Sequence, residues 1–218
     1  MLNVVILISG RGSNMEAILA AKLPIRVAAV ISNRPNAAGL ATAKQLGIPT
    51  IAIDHKAFAT RETFDAALGD AIATHTPHFV VLAGFMRVLG AAFIARFPNR
   101  ILNIHPSLLP SFPGLHTHQR ALEAGVKIHG ATVHVVTPEL DHGPILAQAA
   151  VPVLPGDSED ALAARVLKQE HQIYPAVLKA LADGRLRIGA DGVVRQVKSS
   201  VDSGTAERFL RQPEDQGG

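Results

Sequence analysis

The chain has 218 residues, enough for one domain with a sizeable core, since domains run to roughly 100–200 residues. Apolar residues make up 48% and charged residues 18%, which excludes global disorder. A net charge of +3, no Trp and 4% aromatics argue against nucleic acid, and the absence of Cys removes disulfides, thiolate metal sites and cysteine nucleophiles.

Charge is uneven along the chain. Residues 1–100 carry ten Lys/Arg against five Asp/Glu, and residues 101–218 carry eleven against thirteen. A basic first half suits anionic small molecules, although a solvated helix face is the simpler account. Met1 leads directly into the apolar run Leu2–Ile8 with no positive segment before it, and no run reaches the ~18–20 apolar residues of a membrane helix. The expectation is a soluble, cytoplasmic protein that makes no membrane contact.

Two periodicities alternate in the first half. Val4–Ile8, Ile25–Ile31, Thr50–Ile53, Phe79–Leu82 and Ile101–Ile104 read as buried strands. Ser13–Ala21, Ala37–Leu46, Arg61–Thr74 and Gly90–Phe97 read as helices between them. Near-continuous apolar strands with intervening helices imply an α/β, doubly wound, mostly parallel sheet of Rossmann-like type. A Pro-rich loop follows at Ser107–Pro113, then a short helix at Thr117–Ala124. His129–Val136 and Ile145–Pro152 read as strands around the turn Glu139–Pro144. A long helix is expected from Ser158 to about Leu181, with an acidic first turn that suits the helix dipole. Arg185–Ile188 and Val193–Val197 flank a hairpin signal, giving an antiparallel C-terminal extension. The whole reads as one domain over residues 1–197, with a phosphate-binding half at 1–106, a second half at 107–197 and a loose polar tail at 198–218.

Three features carry chemistry. After strand one, Ser9-Gly10-Arg11-Gly12-Ser13-Asn14 opens a helix, where glycines allow close backbone approach and the helix N-terminus attracts an anion. The third glycine of a dinucleotide fingerprint is replaced by Met15, and strand two ends Ser32-Asn33-Arg34 without an acidic residue. A phosphate monoester therefore fits better than a nucleotide, although Arg34 would suit a 2′-phosphate; a plain tight turn with Ser13 as N-cap is the alternative. Asn103 and His105 share one face at the C-terminal end of their strand, where open α/β sheets bind ligands. An amide and an imidazole there can hold an oxyanion and move a proton, or can simply satisfy each other. Asp141 lies in a turn; placed near His105 it would orient the ring and favour its charged form, but an Asp before Gly-Pro is equally ordinary turn chemistry. His116-x-His118 and His129…His134 are the nearest metal candidates; with no HExxH and no suitably spaced carboxylate, no metal is expected. Polyproline recognition through residues 106–114 is disfavoured because core-like elements bracket that loop.

Five motifs occur in order: Gly10-Arg11-Gly12-Ser13-Asn14, Val81–Arg87, Asn103-Ile104-His105-Pro106-Ser107-Leu108-Leu109-Pro110, Glu139-Leu140-Asp141-x-Gly143-Pro144, and Gln169-Glu170-His171-x-x-Tyr174-Pro175. Over about residues 2–190 the chain resembles the folate-dependent phosphoribosylglycinamide formyltransferases. The Asn-x-His and Ser-Leu-Leu-Pro core is shared with other folate formyl-transfer enzymes. The Gly-Ser-Asn loop and Phe112–His118 are more particular to this branch.

The resemblance implies a catalytic trio of Asn103, His105 and Asp141. It implies a phosphoribosylglycinamide site at Gly12, Ser13, Asn14 and Pro106, with Lys168, Gln169 and Glu170 near the ribose. It implies a folate site in which Met86, Arg87, Val88 and Leu89 recognise the pterin largely through backbone. Thr137, Pro138, Glu139, Leu140 and Asp141 would close over that ring, and Arg61 would lie near the folate's carboxylate tail. The implied reaction is formyl transfer from 10-formyltetrahydrofolate, as co-substrate, to the glycinamide amine, without a metal or a covalent enzyme intermediate. A homodimer is compatible with the resemblance. His142 departs from the family, which often has a smaller residue beside the aspartate, and a bulky titratable neighbour there would alter the loop or the pH profile.

Three rival readings remain open. Methionyl-tRNA formyltransferase resembles this core but carries a further C-terminal domain, for which the roughly 30 residues after Gly189 are too few. Formyltetrahydrofolate deformylase carries an extra domain before strand one, whereas strand one begins here at Leu2. A non-catalytic phosphosugar-binding module would bind the phosphate without folate affinity.

Overall fold

The computed structural model describes residues 1–197; the expected loose tail, 198–218, lies outside the described residues. Seven strands form one sheet: β1 (Leu2–Ile8), β2 (Ile25–Ser32), β3 (Thr50–Ala52), β4 (Phe79–Leu82), β5 (Ile101–His105), β6 (Ile128–Val135) and β7 (Ile145–Pro152). Their order is β3-β2-β1-β4-β5-β6-β7. The first five pair in parallel, while β6 runs antiparallel to both β5 and β7. The expected doubly wound, mostly parallel sheet is present.

Helices α1 (Ser13–Ala20), α2 (Ala38–Gln45), α3 (Arg61–Ala73), α4 (Ala91–Arg96), α5 (Thr117–Glu123) and α6 (Glu159–Ala182) surround the sheet. Val4–Ile8 of β1 are all wholly buried because helices cover both of its faces. Alternate residues feed two cores: Val4, Ile6 and Ile8 pack with α1 and α6, whereas Val5 and Leu7 pack with α3 and α4. This explains why the strand reads as a continuous apolar run rather than an alternating one.

Helix α3 begins with a capping box, in which Thr60 and Thr63 bond reciprocally. Helix α6 begins with Ser158, whose hydroxyl accepts the Ala161 N–H at 3.2 Å, and Glu159 and Asp160 occupy its first turn. Its buried stripe runs Leu162, Val166, Glu170, Ile173, Tyr174, Val177, Leu178 and Leu181. Glu170 is the one charged member of that stripe. The Tyr174 hydroxyl lies between the carbonyls of Leu82 at 3.1 Å and Leu102 at 3.0 Å, pinning α6 across β4 and β5. The hairpin β8 (Leu186–Ile188) and β9 (Val194–Gln196) forms a separate two-stranded sheet, held at its turn by Asn99, which donates to the Ala190 carbonyl at 3.0 Å.

The chain runs outward from β1 to β3 and then returns to the other side of β1 at β4. The C-terminal ends of β1 and β4 therefore diverge into loops on opposite sides of a crevice, the position where open α/β sheets take ligands.

Candidate active site

The loop after β1 supplies one end of the crevice. Gly12 adopts a left-handed conformation (φ +78°) and is the N-cap of α1, so Ser13 is the first helical residue and not the cap that its residue type suggests. No side chain caps this helix, which leaves its first N–H groups available to an anion. The loop rests on α2: Gly39 N–H donates to the Gly10 carbonyl at 3.1 Å, and a Cβ on Gly39 would stand 2.9 Å from the Arg11 carbonyl oxygen. Asn14 turns inward and donates to Glu170 Oε2 at 2.7 Å, joining α1 to α6. Burial raises the Glu170 carboxyl above the ordinary range, and the Asn14 bond partly opposes that.

The centre of the crevice holds Asn103, His105 and Asp141. His105 Nδ1 lies 3.4 Å from Asp141 Oδ2, and both side chains are almost fully buried. His105 Nε2 faces the Phe112 carbonyl at 3.0 Å, so an imidazolium would donate toward both acceptors. Asp141 sits in the left-handed region (φ +53°), a conformation Asp tolerates better than most residues, and its Oδ2 accepts the Gly114 N–H at 2.8 Å. Gly143 completes the turn because any Cβ there would collide with the Val135 carbonyl.

Asn103 does not pair with His105. Its Nδ2 instead lies 3.2 Å from His134 Nε2 on the neighbouring strand, directly opposite in register. His134 Nδ1 donates to the Val135 carbonyl at 3.0 Å, which leaves Nε2 as the acceptor and orients the Asn103 amide. Burial lowers the His134 pKa, against the Val135 hydrogen bond and the Asp141 charge, and so keeps the ring neutral.

These groups line a cavity of about 1040 Å³. Asn14, Pro106 and Glu170 line it, as do Asn103, His105, His134 and Asp141. Met86, Arg87, Val88 and Leu89 also line it, as do Thr137, Pro138 and Leu140. Its lining is chiefly apolar with a few convergent polar groups, as small-molecule sites usually are. Six expected site residues do not line it: Gly12, Ser13, Arg61, Glu139, Lys168 and Gln169. Gly12 and Ser13 belong to the turn behind Asn14. Arg61 is half-exposed at the start of α3, with Nε 3.9 Å from where a Gly90 Cβ would stand. Glu139 faces outward, its Oε1 3.8 Å from His142 Nδ1, so the unusual His142 points to solvent and away from the trio.

Residues 2–178 match the formyl transferase family. The chain is 53% identical over 191 residues to phosphoribosylglycinamide formyltransferase of Escherichia coli (strain K12), covering 86% of this chain and 90% of that one. The corresponding protein of Haemophilus influenzae is 46% identical over 192 residues, with 86% and 91% covered. The chain belongs to the phosphoribosylglycinamide formyltransferases. In three dimensions this formyltransferase superposes on glycinamide ribonucleotide transformylase 1 from Symbiobacterium toebii with a TM-score of 0.86 and 47% identity, over 91% of this chain and 95% of that one.

The sequence of this formyltransferase gave no direct sign of His134 as Asn103's partner. The signal lay in the pairing of β5 with β6, since Asn103↔His134 and His105↔Thr132 are opposite residues. Thr132 accepts the Leu109 N–H at 3.0 Å and donates to the Ser107 carbonyl at 2.7 Å, so the Pro-rich loop is tied to the sheet and is not a free recognition segment. Two of the histidines considered as metal candidates pair with each other: His129 Nε2 lies 3.2 Å from His118 Nδ1, and burial, reinforced by His118, lowers the His129 pKa to about 4. Among the described residues no group of three or more His, Asp or Glu is arranged to hold a metal ion, and no helix is long and apolar enough to cross a membrane.

Proposed function

We propose that this formyltransferase moves the formyl group of 10-formyltetrahydrofolate to the amine of N1-(5-phosphoribosyl)glycinamide, as a step of purine synthesis. The observation that carries the reading is the seating of Asn103, His105 and Asp141 in one cavity that also takes in Asn14 and Glu170 on one part of its lining and Met86–Leu89 on another.

The uncapped start of α1 suits the substrate's phosphate, with Gly12 and Ser13 contributing backbone and Asn14 the side chain. Glu170 suits the ribose hydroxyls as an acceptor, with Lys168 and Gln169 immediately before it on α6, and Pro106 lies alongside the same substrate. Met86, Arg87, Val88 and Leu89 suit the pterin, the loop Thr137–Asp141 covers it, and Arg61 meets the anionic tail of the folate.

The amine attacks the formyl carbon and a tetrahedral intermediate with an oxyanion develops. Asn103 has one amide proton engaged by His134 and a second free for that oxygen. His105, paired with Asp141, stabilises the same charge and passes a proton from the amine toward the folate nitrogen as the C–N bond breaks. One such donor is worth roughly 3–4 kcal/mol in the barrier.

The test is a spectroscopic assay of tetrahydrofolate production with and without phosphoribosylglycinamide. Production that requires the amine supports the reading. Production without it identifies a deformylase, and phosphosugar binding with no turnover identifies a binding module.

A further inference from the structure

The strip Met86–Leu89 is tied at both ends by side chains that do not reach the cavity. At one end Met86 N–H donates to Ser9 Oγ at 2.8 Å, and Ser9, itself buried, donates onward to Asn33 Oδ1 at 2.6 Å. The Ser9 N–H also bonds the Gly84 carbonyl at 3.1 Å, so the residue that follows β1 holds the chain on both sides of Phe85 just as the strip begins. At the other end Gly90 N–H donates to Asp65 Oδ2 at 2.8 Å, from a buried position on α3. A Cβ at Gly90 would stand 3.0 Å from that oxygen, so the approach is as close as a glycine permits.

Between these ends Arg87 folds back onto α3, its guanidinium 4.9 Å above the ring of Phe64, the neighbour of Asp65. Met86 and Val88 stay exposed, and all four residues between the two ties line the cavity. A four-residue strip that reads a ligand through peptide groups needs those groups held at fixed spacing before the ligand arrives, or ordering them weakens binding. Asp65 Oδ1 has no protein partner although it is buried, so this carboxylate is poorly explained by stability alone.

We propose that Ser9 and Asp65 are positioning residues for the formyl donor: they hold the strip preformed and set its affinity for the folate without touching the folate or the reacting atoms. The proposal rests on the reading of Met86–Leu89 as the pterin wall.

The experiment titrates 10-formylfolate into the wild type and three variants, and measures both KM values with the complete substrate pair. Asp65→Leu removes the acceptor at similar size, Asp65→Asn keeps an acceptor oxygen, and Ser9→Ala releases the other end. Asp65→Leu should raise Kd for 10-formylfolate and KM for the donor about tenfold, with kcat and KM for phosphoribosylglycinamide within about twofold of wild type. Asp65→Asn should restore donor KM to within about threefold, and Ser9→Ala should raise it about three- to fivefold. Unchanged donor affinity in folded Asp65→Leu, or a parallel rise in both KM values, overturns the proposal. Should Asp65→Leu fail to fold, the same split measured for Ser9→Ala decides. If the wild type binds no 10-formylfolate, the pterin-wall reading fails and takes this proposal with it, an outcome distinct from wild-type binding that the variants retain.

Discussion

The Asn103 amide and the His134 ring meet at 3.2 Å across the β5–β6 pair, and this contact decides which end of the amide faces the cavity. His134 accepts, so the amide nitrogen is held on that side and keeps a second proton, which the proposed reaction gives to the developing oxyanion. Replacing His134 with Leu should lower kcat about tenfold with little change in either KM, the worth of about one hydrogen bond in the transition state. His134→Gln, which keeps an acceptor, should recover most of the loss. Steady-state kinetics would show the difference, and wild-type kcat in the Leu variant would remove the orienting role.

Asp141→Asn keeps the size of the side chain and an oxygen for the Gly114 N–H, but deletes the charge 3.4 Å from His105. We expect kcat to fall about 10²- to 10³-fold with the melting temperature within a few degrees of wild type. A fall of less than tenfold would mean that Asp141 serves the loop and not the reaction.

Glu170 gives a pH dependence with a definite sign. Its carboxyl titrates above the ordinary 4.5 because it is buried, so it becomes a pure acceptor only as pH rises through that raised value. KM for phosphoribosylglycinamide should therefore worsen as pH falls through it. Asn14→Ala removes the hydrogen bond that favours ionisation, and should move this transition to higher pH. For folding the sign is opposite: a buried carboxylate is a cost at neutral pH, relieved as pH falls through the raised value. Glu170→Gln should accordingly melt no lower than wild type at pH 7, gaining about 2–4 °C per kcal/mol relieved, with the gap closing near pH 4.

Asp157 acts in the reverse sense. A two-pronged bond to Arg165 at 2.7 and 2.8 Å and the Leu154 N–H lower its pKa from 3.8 to about 2. Its contribution to stability is complete above the ordinary value and is lost as pH falls from 3.8 to about 2. Thermal melts of Asp157→Asn against wild type should differ at pH 7 and converge at about pH 2. A difference that persists there would assign the effect to packing.

Much of this fold is local enough to be read along the chain. The β-branched runs at Val4–Ile8 and Ile101–Ile104, and the acidic start of α6, each announce their element within a few residues. Asn103-x-His105 is legible for the same reason, because alternation on a strand places both on one face. What stays hidden depends on residues distant in sequence. His134 is 31 residues from Asn103, and only the β5–β6 register brings them together. Ser9 and Asp65 look like ordinary strand-end and helix residues until the strip they hold is seen. Gly39 resembles any helical glycine, yet it sets how closely the first loop can lie on α2. Ser13 carries the residue type of an N-cap, but the left-handed Gly12 takes that position because the backbone there must turn where a side chain is strained.

Tyr174 is the chain's only tyrosine, and there is no tryptophan. All phenol absorbance and emission therefore comes from one ring, four residues beyond Glu170 and sealed between α6 and the strands that carry the site. Burial raises the phenol well above its ordinary ionisation range. A tyrosinate band in mild alkali would thus appear only from molecules in which α6 has lifted off the sheet. The unlabelled protein carries a built-in optical gauge of whether the crevice is assembled.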